Sequence, residues 1–331
     1  MVLFWLKNAR YVALPQSMFP TLLAIAMALR FPNFSLWYAI FAGIGVAFAH
    51  LSMNLFDDYF DYKNQKIFIR DELAENNTFS RIGKCDYLLS GKATSKQLFF
   101  VASVFLLVSI ALGFIILLNR GMLILWIALA GGFLGLSYSA KPLALGYRGM
   151  GELLIGLIFG VLLMGGVFYA SCGVYAVDVC LVSIAVGLLV SNILFTHSML
   201  DYHPDKQTGK KTLAVYIQSK KGMFIVSCLF NIIPFLLIGY GIFAHYLSFG
   251  YALTFLTLPI AIYLIYLIWN FFRHPKRKFS PRFWTQPMEN WDNITNAGIG
   301  WFMMRWYLAR NLTMYFCLLA AIAALLVWVE T

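Results

Sequence analysis

Nine stretches of this chain are long and apolar enough to cross a membrane, which leaves few folds open. They lie roughly at 15–31, 36–56, 97–118, 121–140, 150–171, 174–200, 222–245, 248–272 and 307–329. A helix crossing ~30 Å of hydrocarbon needs about 20 apolar residues. In lipid a spanning segment must satisfy its own backbone polar groups, so runs of this length read as helices. Composition removes the soluble alternatives. Of the 331 residues, 61% are hydrophobic and 12% charged, and mean hydropathy is +0.76. Soluble domains run near 45–50% apolar and ~25% charged. The predicted fold is all-α, a polytopic membrane helix bundle of nine transmembrane helices forming one integral-membrane domain over 1–331.

The charges take their meaning from position. The chain carries 25 Lys and Arg against 14 Asp and Glu, for a net charge of +11. With Lys7 and Arg10 placed in the cytoplasm, alternation puts 23 of the 25 basic residues on inside loops, leaving Arg30 and Arg120 outside. That is the positive-inside rule, and it predicts a cytoplasmic N-terminus, an inner-membrane location and no nucleic-acid partner. Met1–Trp5 followed by Lys7 and Arg10 reverses the order of a cleavable signal peptide and reads as a retained interfacial segment. Three inside loops are long, about 57–96, 201–221 and 273–306. The last interleaves Trp284, Trp291, Trp301 and Trp306 with basic residues and reads as an interfacial hairpin. The five cysteines are scattered, with no C-x-x-C pair, so neither a disulfide framework nor a zinc site is indicated.

Two acidic clusters end the second and sixth spans. The first reads Asn54-Leu-Phe-Asp57-Asp58-Tyr-Phe-Asp61, and the second Asp201-Tyr-His-Pro-Asp205. On a helix the i and i+4 acids share one face, about 5–6 Å apart at Cβ. Four spans separate the clusters, so both face the same side. Either cluster alone reads equally as a solvated helix end. Together they suit Mg²⁺, which takes one or two carboxylates plus phosphate oxygens. Basic residues surround them: Arg70, Arg81, Lys84, Lys206, Lys210 and Lys211. Carboxylate, divalent cation, diphosphate and basic side chain form a charge-alternating stack that calls for a phosphoanhydride ligand.

The pair of motifs resembles the UbiA-type intramembrane prenyltransferases, whose members have nine helices and Asp-rich motifs after helices two and six. Leu14–Ser17, Leu89–Lys92, Tyr138–Pro142 and Gly209–Val215 extend the resemblance over essentially the whole chain. Gly209–Val215 and Gly149–Gly160 are most similar to the 1,4-dihydroxy-2-naphthoate polyprenyltransferases of menaquinone synthesis. Asp57-Asp58 stands where the family commonly has Asn-Asp, and Leu200 where it usually has Arg; Asp71 or Glu72 would serve as the third acid of the first motif. The resemblance implies Mg²⁺ held by Asp57, Asp58, Asp61, Asp201 and Asp205. Asp57, Asp61, Asp201 and Asp205 would be catalytic. The donor would be a polyprenyl diphosphate and the acceptor an aromatic ring, 1,4-dihydroxy-2-naphthoate before 4-hydroxybenzoate, homogentisate or a porphyrin. Asn54, Asp58, Arg70, Arg81, Lys84, Lys210 and Lys211 would bind substrate, with Lys141 and Arg148 candidates for the acceptor's carboxylate.

Some residues keep two readings. Tyr138 and Lys141 suit a substrate contact or an interfacial anchor. His197, one turn before Asp201, suits an orienting base or an ordinary polar helix residue. Two other classes fit less well. The CDP-alcohol phosphotransferases need an Asp-Gly-x-x-Ala-Arg stretch, and none occurs. A cation-coupled transporter would place its carboxylates near the bilayer midplane, whereas these acids end their spans.

Overall fold

A computed structural model describes residues 2–63, 85–275 and 277–330. Among the described residues the regular structure is helical, and one isolated bridge joins Arg148 to Lys211. In chain order the helices are α1 (Val2–Asn8), α2 (Pro15–Ala28), α3 (Leu36–Lys63), α4 (Asp86–Leu89), α5 (Ser95–Arg120), α6 (Leu123–Ser139) and α7 (Gly151–Cys172). They continue as α8 (Val177–Leu200), α9 (Tyr202–Gln207), α10 (Leu213–Ile217), α11 (Lys220–Phe243), α12 (Phe249–Arg273), α13 (Trp291–Asn296) and α14 (Gly300–Glu330).

Seven of these, α3, α5, α7, α8, α11, α12 and α14, are long and apolar enough to cross a membrane. The first and fourth expected spans are shorter. Helix α2 starts with Pro15 at its first position, where the missing N–H is no loss, and ends at Ala28. Pro32 follows closely and turns the preceding residue away from helical geometry. Its 14 residues rise only about 21 Å. Helix α6 is cut to 17 residues, between Gly121 at φ 85° and the Lys141-Pro142 turn. The last span differs in the other direction. It begins at Gly300 rather than 307, so Trp301 and Trp306 belong to α14.

Helix α8 is the axis of the bundle: 72% of its most apolar window is buried, against 11% for α5. Lipid-facing helices keep their apolar side chains outward, whereas α8 must be covered by neighbours. Helices α7, α11 and α14 provide the cover, and α2 packs on both α7 and α14, so the first long segment meets the last. Gly156 and Gly160 on α7 let its backbone approach Gly187 on α8. A Cβ at position 160 would stand 2.5 Å from Gly187 Cα, and one at 156 would stand 2.6 Å from the Gly187 carbonyl. Small residues at such spacing are the usual means of close approach in lipid. Just there, Leu157–Leu162 winds as a π-helix.

Two polar locks sit at the end of the bundle away from the acidic motifs. Arg30 pairs with Asp178 at 2.6 Å. Arg120 donates to the carbonyls of Ala170, Ser171 and Asn33. The two basic residues expected outside are thus both used to tie helix ends together. At the other end, residues 277–299 are not a free hairpin. Asn311 on α14 donates to the Thr285 and Pro287 carbonyls, Arg310 pairs with Glu289 at 3.0 Å, and Trp284 packs edge-on against Tyr263 at 4.9 Å.

Candidate active site

The length of α3 puts the first acidic cluster where it is. Its 28 residues rise about 42 Å, well beyond ~30 Å of hydrocarbon. With the apolar part centred in lipid, its last turns, carrying Asp57, Asp58 and Asp61, reach past the hydrocarbon edge. Asp58 and Asp61 are nevertheless buried, at 2% and 6% exposure, because other segments fold over them. The N-terminal segment is one. Asn54 donates to the Ala9 carbonyl at 3.0 Å, and Arg10 follows in the left-handed region at φ 59°. A non-glycine residue rarely adopts that conformation. Here it turns the Arg10 guanidinium onto Asp58, with Asp57 3.5 Å away.

Tyr87 on α4 donates to Asp58 Oδ2 at 3.1 Å, Ser139 at the end of α6 donates to Asp57, and Tyr147 donates to Asp61. Burial and the adjacent carboxylates push the phenols of Tyr87 and Tyr147 well above the ordinary tyrosine range. Burial works against the Arg10 charge, but Asp58 and Asp57 outweigh it and hold the guanidinium charged. The first cluster is thus hydrogen-bonded and held from three directions.

The second cluster is made differently. Helix α8 ends at Leu200, and Pro204 lies inside the short α9 rather than stopping it. Asp201 and Asp205 are 1% and 3% exposed. His197 Nε2 stands 3.1 Å from Asp201 Oδ2. Lys210 donates its backbone N–H to the Asp205 carbonyl at 2.8 Å and sets its ammonium over the Tyr147 ring. Glu152 fixes this loop. Its buried carboxylate accepts from Ser198 Oγ at 2.6 Å and from the Leu213 N–H at 3.2 and 3.3 Å.

One large cavity runs inward from Asp57 and Asp58 of the first motif and from His197 and Lys210, which flank the second, with a volume of about 1310 Å³. Pockets for drug-sized ligands run about 300–1,000 Å³. Of the residues singled out in the sequence, Asn54, Asp57, Asp58, Tyr138, His197 and Lys210 line it. Asp61, Asp201 and Asp205 are buried and not on the lining. Lys141, Arg148 and Lys211 are exposed and off the lining; Arg148 donates to the Pro142 carbonyl and bridges to Lys211. Arg70, Arg81 and Lys84, with Asp71 and Glu72, lie outside the described residues. From the mouth the cavity runs along apolar wall between α3, α5, α6 and α7 toward Ile116, Ile124 and Ala170 at the opposite end.

Sequence reasoning missed Arg10, Tyr87, Ser139, Tyr147 and Glu152 as partners of the motifs. It also missed His50, which lines the cavity and bonds Ser17 at 2.7 Å. A histidine inside an apolar span was the available signal. Among the described residues, no three His, Cys, Asp or Glu side chains form a ready-made metal cage. The donor set still fits Mg²⁺. Its ligands would be hard carboxylates at the ends of α3 and α8, and Mg²⁺ sites commonly complete themselves with substrate phosphate oxygens and water.

Comparison with known proteins bears on the fold and the family. A 1,4-dihydroxy-2-naphthoate octaprenyltransferase of Bacillus subtilis is 23% identical over 66% of this chain and 67% of its own length. A 2-carboxy-1,4-naphthoquinone phytyltransferase of Synechocystis is 26% identical over 51% of this chain, which spans 55% of that relative. Among solved structures, a UbiA homologue from Aeropyrum pernix superposes with a TM-score of 0.63 at 14% identity, covering 94% of this chain and 97% of that one. A homologue from Archaeoglobus fulgidus bound to GPP and Mg²⁺ gives 0.57 at 18% identity, covering 97% and 99%. These likenesses establish the fold. The profile of the UbiA prenyltransferase family matches residues 17–294, and by that match the chain belongs to this family.

Proposed function

We propose that this chain transfers a polyprenyl group from polyprenyl diphosphate to an aromatic acceptor, 1,4-dihydroxy-2-naphthoate, in menaquinone synthesis. It would do so as a single nine-span domain, at the cytoplasmic face of the inner membrane. One observation carries the reading: acids and bases gather at the mouth of a cavity whose remaining wall is apolar. A charged head with a long isoprenoid tail matches that division.

Lys210 and Arg10, both on the cavity lining, would face the diphosphate as its bond to the allylic carbon ionises. Mg²⁺ held between the two Asp motifs would supply charge neutralisation to the leaving diphosphate. Tyr87, Ser139 and Tyr147 keep the carboxylates oriented without neutralising them. The apolar wall excludes water, so the allylic cation is met by the electron-rich ring instead of being captured as an alcohol. A dihydroxynaphthoate attacks such a cation without a strong base: the new C–C bond forms as the C1–O bond of the donor breaks. The ring regains aromaticity by losing the carboxylate of the attacked carbon as CO2 or its proton, for which His197 on the lining is a candidate acceptor. The naphthoate assignment draws support from relatives that carry that name.

The test offers purified protein one prenyl diphosphate with 1,4-dihydroxy-2-naphthoate, 4-hydroxybenzoate and homogentisate in parallel, with Mg²⁺ or EDTA. Product from the naphthoate alone, lost in EDTA, is expected. Product from another acid and none from the naphthoate overturns the acceptor. Full turnover in EDTA overturns the metal-dependent reading.

A further inference from the structure

Off the lining of the large cavity, three arginines gather on aromatic rings where α12 ends and α14 begins. Arg305 is fully buried, with 0% exposure. Its Nε donates to the Leu267 carbonyl at 3.0 Å and its Nη1 to the Trp301 carbonyl, while Nη2 is buried with no hydrogen-bond partner. The guanidinium lies over Phe271 at 5.2 Å and Phe279 at 5.8 Å. Arg277 stacks over the same Phe279 ring at 5.3 Å, and Arg282 over Tyr263 at 6.0 Å. Among the described residues no carboxylate pairs with any of the three; Glu289 is taken by Arg310. None of the three lines the large cavity.

A solvated basic loop accounts for exposed lysines, but not for a guanidinium enclosed between helices with a spare donor and no acid. Arg277 gives one N–H to Asn270 Oδ1 at 3.1 Å; a guanidinium stacked on a ring keeps its remaining N–H groups in the fork geometry that suits a phosphate. The flank also offers apolar rings to its surroundings: Phe283 is 90% exposed, Tyr266 42% and Trp269 40%. Exposed rings beside cations at the end of a spanning helix are placed for the headgroup level of a bilayer. We propose that this flank binds the phosphodiester headgroup of an anionic phospholipid. Arg277 and Arg282 take the phosphate, Arg305 supplies the charge behind it, and the exposed rings meet the acyl chains. Basic pockets between spanning helices take anionic headgroups in this way.

The experiment uses the full chain in a neutral detergent and reads its thermal midpoint. Phosphatidylglycerol, phosphatidylcholine and inorganic pyrophosphate are added separately. Phosphatidylglycerol should raise the midpoint by several degrees, since a ligand of the folded state stabilises by mass action. Phosphatidylcholine and pyrophosphate should not. The shift should vanish in Arg277→Gln/Arg282→Gln and persist in Lys220→Gln/Lys221→Gln, a basic pair elsewhere. If the double variant does not purify as a single species, Arg282→Gln alone should at least halve the shift. An equal response to phosphatidylcholine, a response reproduced by pyrophosphate, or a shift kept in the Arg277/Arg282 variants overturns the proposal. Prenyl transfer is not the readout, so failure here is distinct from failure of the proposed reaction.

Discussion

Tyr87 and Tyr147 act on the acidic motif as proton donors, and their pH behaviour follows from that. Each phenol is pushed up by burial first and by its carboxylate second, so both stay protonated throughout the range in which an enzyme is assayed. A tyrosine whose folded value lies above its unfolded value of about 10 stabilises fully below pH 10 and progressively less above it. Thermal midpoints of wild type, Tyr87→Phe and Tyr147→Phe should therefore run parallel up to about pH 10, each variant lower by roughly 1 kcal/mol for one hydrogen bond. A gap that opens or closes between pH 6 and 9 would show that these phenols ionise. Glu152 gives a second residue-scale prediction. Glu152→Ala strips acceptors from Ser198 and from the Leu213 N–H, loosening the loop that carries Lys210. The specificity constant for prenyl diphosphate should fall at least tenfold, whereas Ser198→Ala, which keeps the Leu213 contact, should change it far less. The acids themselves were legible in the sequence because two i, i+4 pairs of carboxylates end spans on the same side. Their partners were not. Arg10 lies 48 residues from Asp58 and counts equally well as a topology charge until the chain folds back. Lys141 and Arg148 sit near the site in sequence yet are not on the lining of its cavity, because proximity along a loop does not fix where a side chain lies.

Helices α7 and α8 show what a hydropathy pattern cannot carry. Apolar runs located the long spans, since lipid selects for composition over about 20 residues. Where a helix stops depends instead on local chemistry, such as Pro32 after α2, Gly121 before α6 and the early start of α14 at Gly300. The crossing of α7 on α8 depends on missing side chains. A Cβ at position 156 would stand 2.0 Å from Ser191 Oγ, and one at 160 would stand 2.5 Å from the Ser183 carbonyl. Gly160→Val should therefore destabilise by about 1–3 kcal/mol or abolish the folded peak, as overpacking does. Gly165 lies on the same helix with nothing within 4 Å of its absent Cβ. Gly165→Ala should be neutral or slightly stabilising, since alanine favours a helix by about 0.5–1 kcal/mol over glycine. Fluorescence-detected size exclusion after a heating series separates the two. Equal midpoints would mean that the close approach of α7 to α8 does not hold the bundle together.

For the molecule as a whole, the polar mouth and the apolar interior are one continuous space, and that makes donor length testable. Gly132 on α6 and Gly113 on α5 both line the cavity, and at neither does an added Cβ meet anything within 4 Å. They sit at different depths. Gly132 is seven residues before Ser139, which contacts Asp57, and so lies about 10 Å along α6 from the mouth. Gly113 is seven residues before Arg120, whose guanidinium ties helix ends together on the opposite side, and so lies about 10 Å from the far end. If the prenyl tail runs down this space, a phenylalanine at each position should act as a plug at its own depth. Gly132→Phe should lower the specificity constant for every donor much longer than geranyl diphosphate by tenfold or more. Gly113→Phe should leave short and intermediate donors within about threefold of wild type and penalise only the longest. Glycine is the weakest helix former after proline, so neither change weakens its helix, and loss of folding need not confound the result. A series of diphosphates of increasing length, assayed with one acceptor against both variants, gives the answer. Equal losses at all lengths in both variants would mean that the tail leaves the bundle sideways near the mouth, and that the deep cavity serves some purpose other than holding the donor.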